Sequence, residues 1–158
     1  MTQDEYTQEA VRLRPMLTEI ATRYMGSADD AEDVVQDALV RLWNMHDELH
    51  PPLEALGRVL VRNLCIDRIR RKVPTLRLDD VDIGDSHVEN VEHQRIERMM
   101  KIIDTLPTMQ QTILRMRHMQ GMEFKDIARL VGSEESTVRK ALSRARMAVK
   151  DKYNTGIV

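Results

Sequence analysis

A single glycine separates two helical periodicities near the end of the chain, and that break dictates the local fold. Phe124, Ile127, Ala128 and Val131 recur at the one-face spacing of an amphipathic helix, and Gly132 follows the last of them. A glycine in that place can take the left-handed conformation that stops a helix. Ser133, with Glu135 and Ser136 behind it, offers the oxygen acceptors that a new helix N-terminus needs. The second helix puts Val138, Leu142, Ala145 and Val149 in one stripe, with Ser136, Arg139, Lys140, Ser143, Arg144, Arg146 and Lys150 over much of the rest. Two helices joined by a Gly-containing turn, the second basic and rich in hydroxyls, form the helix-turn-helix pattern. Arg and Lys neutralise phosphates, and an Arg fork spans two acceptors on a guanine edge. A plain helical hairpin with a solvated basic face fits the same residues.

The rest of the chain is helical by composition. Aromatics make up only 3% of the 158 residues while Met reaches 11, so the core is aliphatic and Met-rich, which suits helices better than sheets. The net charge of −2 hides opposed blocks. Residues 1–50 carry 4 basic and 11 acidic side chains, 51–73 carry 6 and 2, 74–94 carry 1 and 6, and 95–158 carry 13 and 7. Such alternation implies different partners for different segments. With one cysteine, Cys65, no internal disulfide forms, and its apolar context marks a small core residue. No apolar run is long enough to span a membrane, and the start MTQDEYTQEA is too acidic for a signal peptide; a soluble cytoplasmic protein is expected.

Residues 5–25 have a helical pattern with Pro15 inside it, which predicts either a helix beginning near Pro15 or two short pieces. Gly26–Ser27 ends it, and Asp29 and Asp30 stand at the next start. Over residues 28–46, Ala31, Val34, Val35, Ala38, Leu39, Leu42 and Trp43 define a wide apolar face, with Asp30, Asp33, Gln36, Asp37 and Arg41 off it. That acidic side reads as a solvated surface or as a dock for a basic partner. HDELHPP is a loop. His46 and His50 lack the company of a metal site, and neither metal nor cofactor is expected. Residues 53–72 form a helix that buries Leu53, Leu56, Val59, Leu60, Leu64 and Ile69 and shows many arginines, a second nucleic-acid candidate. Residues 75–90 are acidic without a sustained helical period and read as a linker. Helices follow over 91–104, with Ile96, Met99, Met100 and Ile103 inward, and from Pro107 to about Met119, with Met109, Ile113, Leu114 and Met116 inward. The expected fold is all-α: two small helical domains, 1–73 and 91–158, joined by a flexible acidic linker, 74–90.

Three segments in this order resemble the extracytoplasmic-function sigma factors, the small branch of the sigma-70 family that keeps only regions two and four. DAEDVVQDALVRLW (residues 30–43) and VRNLCIDRIRRK (61–72) are similar to two parts of region two. The stretch from Leu106 to Arg146 is similar to region four with its helix-turn-helix. The resemblance implies a factor that directs bacterial RNA polymerase to particular promoters and helps open the DNA, without catalysis or a small-molecule substrate of its own. Laid on residues, it gives polymerase contacts to Asp33, Gln36, Asp37, Leu42 and Trp43, with Leu39 beside them. Arg62, Asn63, Asp67, Arg70 and Arg71 fall in the minus-ten segment, and the loop His46–Leu53 falls where the family captures a flipped base. Ser136, Thr137, Arg139, Lys140, Ser143 and Arg144 fall on the helix for the minus-thirty-five element. The implied partners are core RNA polymerase, through its largest-subunit clamp helices and its flap, promoter DNA, and an anti-sigma factor, commonly membrane-attached.

Two departures stand out. Leu56 occupies a position that is usually aromatic in the family and Leu39 one that often is, so stacking on single-stranded bases is scarce here. Met122–Glu123–Phe124 replaces a Ser or Thr before an aromatic. The rival reading is a helix-turn-helix repressor or activator whose N-terminal half dimerises or binds an effector.

Overall fold

The computed structural model describes the backbone of residues 1–80 and 86–156, and side-chain environments over residues 1–71 and 90–156. Among the described residues every regular element is helical: α1 (Gln3–Met25), α2 (Ala28–Asn44), a 3-10 turn (His46–Glu48), α3 (Glu54–Asp80), α4 (Ser86–Asp104), α5 (Thr108–His118), α6 (Phe124–Val131) and α7 (Glu135–Thr155). They fall into two units, one built on Met1–Pro74 and the other on most of Thr75–Val158.

In the first unit, α1 is one unbroken helix with Pro15 inside it, and neither of the two expected interruptions occurs. Proline deprives only the carbonyl four residues back of its bond, here that of Val11. Val11 is 71% exposed and Pro15 is exposed, so that carbonyl lies on the water-facing side of the helix. The start of α1 is secured by a capping box, in which Thr2 Oγ1 accepts from the Glu5 N–H and Glu5 Oε2 from the Thr2 N–H, both at 3.1 Å. Gly26, at φ 69°, closes it, and Ser27 caps α2. The short turn folds α2 back on α1, burying Leu13, Leu17 and Ala21 with Ala31, Val34, Val35, Ala38 and Leu42 in the unit's core.

Helix α3 packs on α1 at a glycine: a Cβ on Gly57 would stand 3.3 Å from Leu17 Cδ2. Its start is tied by Glu9, whose Oε2 accepts from the Leu53 N–H at 2.9 Å while Arg12 holds the carboxylate. The buried side of α3 is Leu56, Leu60, Val61, Leu64 and Cys65, with Leu53 buried just before its start. Val59 is only half-buried and Ile69 is exposed, contrary to the expected stripe. The paired positions 56/57, 60/61 and 64/65 follow the helical turn more closely than the Val59 and Ile69 series does.

The helices also run further into the acidic stretch than its residue pattern suggests. Helix α3 passes Pro74 to end at Asp80, and α4 begins at Ser86; positions 81–85, the rest of the expected linker, lie outside the described residues. Leu76 and Leu78 with Arg77 are good helix formers, so propensity can extend a helix without an apolar stripe.

In the second unit, α4 and α5 pack against α7. Among the described residues of α4 only the last turn is deeply buried, at Ile102 and Ile103, followed by Leu106; the expected inward residues Ile96, at 57% exposure, and Met99 are exposed. Helix α5 departs from a simple stripe as well. Gln111, Thr112 and Arg115 are buried beside Ile113, Leu114 and Met116, while Met109 is half-buried. The burial of Arg115 is tolerated because Asp104 Oδ1 accepts from it at 2.7 Å.

Candidate nucleic-acid interface and acidic docking face

The turn between α6 and α7 follows from its glycine. Gly132 takes φ 69°, and the Ser133 N–H reaches back to the Ala128 carbonyl at 3.0 Å, the bond of a glycine-closed helix end. The restart differs from expectation by one residue: Glu134, not Ser133, stands at the N-cap, with no side-chain cap bond, and Glu135 supplies the acid in the first turn.

Helix α7 then sorts its residues cleanly. Val138, Leu142 and Ala145 are buried, whereas Ser136, Thr137, Arg139, Lys140, Ser143 and Arg144 are all exposed. Lys140 and Arg144 pair with nothing among the described residues, leaving their charges for an outside acceptor. Other cations of α7 serve the unit itself. Arg146 Nε donates to His118 Nε2 at 2.9 Å, and Lys152 Nζ to Thr105 Oγ1 at 2.7 Å. Burial, then the charges of Arg146 and Arg117, hold the His118 pKa below its ordinary value, in keeping with a neutral ring that accepts from Arg146.

On α3, Arg62, Asn63, Asp67, Arg70 and Arg71 occupy neighbouring ridges at helical spacing. Arg62, Arg70 and Arg71 are exposed, Asn63 and Asp67 half-buried. The Asn63 side-chain oxygen is buried without a hydrogen-bond partner among the described residues. Arg68, between them in sequence, turns instead toward Asp33 at 4.0 Å. Leu56 lies in the core and Leu39 is half-buried, so neither offers an open stacking surface. In the adjoining loop, Leu49 and Leu53 are buried anchors, and His50, Pro51 and Pro52 between them are exposed.

On α2, Asp33 and Gln36 are exposed and Asp37 is half-buried, bonded to Arg41 Nε at 3.1 Å. Leu42 is a correction. At 1% exposure it is a packing residue of the core, with no surface to offer a partner. Trp43 is 37% exposed and stacks on His46, ring centroids 4.2 Å apart, with Tyr6 edge-on at 5.1 Å. The Tyr6 hydroxyl donates to the Leu39 carbonyl, and its burial raises the phenol pKa. The sequence reading missed Val40, which is 56% exposed and continues the ridge of Asp33, Gln36 and Asp37 toward Trp43. The signal was its spacing, three and four residues after Asp37 and Gln36.

Among the described residues no three metal-ligating side chains cluster, and no helix is long and apolar enough to cross a membrane.

Two family models match, Sigma-70 region 2 over residues 10–74 and Sigma-70 region 4 over residues 96–149. The ECF RNA polymerase sigma factor SigM of Mycobacterium tuberculosis is 31% identical over 140 residues, covering 83% of this chain and 69% of that one. The probable RNA polymerase sigma factor RfaY of Xanthomonas campestris pv. campestris is 28% identical over 163 residues, which is 94% of this chain but only 40% of that protein's length. A solved structure, the sigma factor RpoE in complex with the anti-sigma factor NepR from Bartonella quintana, is similar at a TM-score of 0.44 and 21% identity, covering 95% of this chain and 97% of that one. Matched in both its halves, and related to SigM across most of its length, the chain belongs to the sigma-70 family, in its extracytoplasmic-function branch.

Proposed function

We propose that this chain directs core RNA polymerase to a set of promoters and helps open them, with its surfaces dividing the work. The α2 ridge of Asp33, Gln36, Asp37, Val40 and Trp43 docks on the basic clamp helices of the polymerase's largest subunit, and the second unit meets the flap. Arg62, Asn63, Asp67, Arg70 and Arg71, with the loop after α2, engage the minus-ten element; flipping a base there costs a few kcal/mol of stacking, offset by a pocket and backbone contacts. Ser136, Thr137, Arg139, Lys140, Ser143 and Arg144 enter the major groove at the minus-thirty-five element. The chain makes and breaks no bond itself; the chemistry is the polymerase's. It works in the cytoplasm, and an anti-sigma protein holds it inactive.

One observation carries this reading: all six α7 residues are exposed on a helix whose apolar stripe is buried, in a chain that also presents an acidic ridge on a separate unit. Purified chain mixed with core polymerase and a promoter-bearing template is expected to give specific run-off transcript and reactive, unpaired bases around the start site. DNA binding without initiation would instead indicate a helix-turn-helix repressor. Polymerase binding without opening would indicate a decoy. Asp37→Arg is expected to abolish polymerase binding while the melting temperature holds; unchanged binding would remove the acidic ridge from the account.

A further inference from the structure

The ring of Phe124 is half-buried at the start of α6 and carries two cations. The guanidinium carbon of Arg117, from α5, lies 4.6 Å from its centroid, and that of Arg139, from α7, lies 4.5 Å. Two like charges over one ring repel, and each has a further tether. Arg117 Nη1 donates to the Met122 carbonyl at 2.9 Å, and Arg139 Nη2 lies 4.0 Å from Glu135 Oε2. Arg117 thus fastens the turn before Phe124, and Phe124 in turn seats Arg139. This matters because Arg139 is exposed and long; an unseated arginine must lose its side-chain freedom at the moment it reads a base. A planar guanidinium already laid on an aromatic ring meets a bidentate acceptor pair at lower entropic cost.

We infer that Phe124 is a positioning residue: its ring presets the Arg139 guanidinium and thereby sets the base preference of α7. The inference rests on the reading of α7 as the helix that enters duplex DNA, and it adds a residue that touches no base. A merely structural Phe124 would contribute packing alone, and its loss would weaken binding to every sequence alike.

The test uses the full chain assembled with core polymerase and a promoter library randomised over the upstream duplex. Wild type is expected to enrich a sequence. Arg139→Ala is expected to lose the preference at one base pair by roughly tenfold. Phe124→Leu is expected to lose it at that same base pair, with the other positions kept, and the double variant is expected to be no worse than Arg139→Ala alone. Phe124→Tyr, which keeps the ring, is expected to restore the preference. If Arg139→Ala alters the preference but Phe124→Leu does not, the positioning role is wrong while the α7 reading stands. If Arg139→Ala changes nothing while wild type still enriches a sequence, Arg139 reads no base and the positioning role falls alone; if wild type enriches no sequence, the α7 reading falls with it. If Phe124→Leu weakens all positions evenly and melts earlier, Phe124 is only a packing residue. A measurement that needs no variant is the NMR shift of the Arg117 and Arg139 side-chain signals in the free chain. Ring-current displacement of both supports the seat, and free-arginine shifts overturn it.

Discussion

Helices α2 and α7 are built alike and finished differently. Each buries a stripe of small and branched aliphatics at helical spacing, Ala31 to Leu42 in one and Val138 to Ala145 in the other. On α2 the exposed ridge combines acids with Val40 and Trp43. On α7 the exposed residues from 136 to 144 are hydroxyls and cations, and an exposed apolar residue, Met147, comes only further along. A protein partner is held best where charge borders removable apolar surface, because desolvating that surface contributes affinity that salt does not screen. A phosphate backbone offers no apolar surface and rewards cations alone. On the proposed reading the same scaffold serves two kinds of partner, and the exposed side decides which.

The comparison breaks first in the core. Leu42→Ala is expected to cost about 2–5 kcal/mol of stability, seen as a lower denaturation midpoint. If the midpoint holds and only polymerase binding falls, Leu42 belongs to the interface after all. On the ridge, Val40→Lys is expected to weaken core-polymerase binding by roughly tenfold or more with little change in melting, since an exposed residue there carries no fold. An unchanged affinity in a binding titration would return Val40 to the ordinary surface. Raising salt sharpens the contrast: duplex affinity carried by α7 is expected to fall steeply, and polymerase docking by α2 less so.

Two smaller effects concern pH. The Arg12 guanidinium, helped by the Leu53 N–H and opposed by burial, holds the Glu9 carboxyl below its ordinary range. A carboxyl depressed in the folded state stabilises the fold above its unfolded value, about 4.3, and loses that contribution as pH falls through the folded value. Glu9→Gln is therefore expected to melt earlier than wild type near neutral pH, by about 1–2 kcal/mol, and the gap to close in acid. His118 works in the same direction with less at stake. Its folded pKa is lowered, so its bond from Arg146 is complete above the unfolded imidazole value, about 6.5, and is lost as pH falls. On this exposed residue the change is expected to stay under about 0.5 kcal/mol in melting curves.

The residue pattern carried the secondary structure far. Amphipathic spacing, Gly26 and Gly132 give α2, α6 and α7 to within a few residues, because these signals act over one or two helical turns. So do the six exposed residues of α7, since a helix with one apolar stripe leaves its other side in water. What periodicity misjudges depends on which neighbour a helix meets. Ile96 and Met99 look as inward as Ile103, yet of the three Ile103 alone is deeply buried. Arg115 looks like surface and is buried beside Asp104. Pro15 looks like a break, but its orphaned carbonyl lies on the water-facing side.

By itself the sequence determined the helical class, the two-part plan, the opposed charge blocks and the resemblance to sigma factors, because these follow from local spacing and residue chemistry. Tertiary structure alone decided that Arg68 turns to Asp33, and that one ring gathers Arg117 and Arg139. Those facts depend on which side chains meet across helices far apart in sequence, and a one-dimensional period contains no such distances.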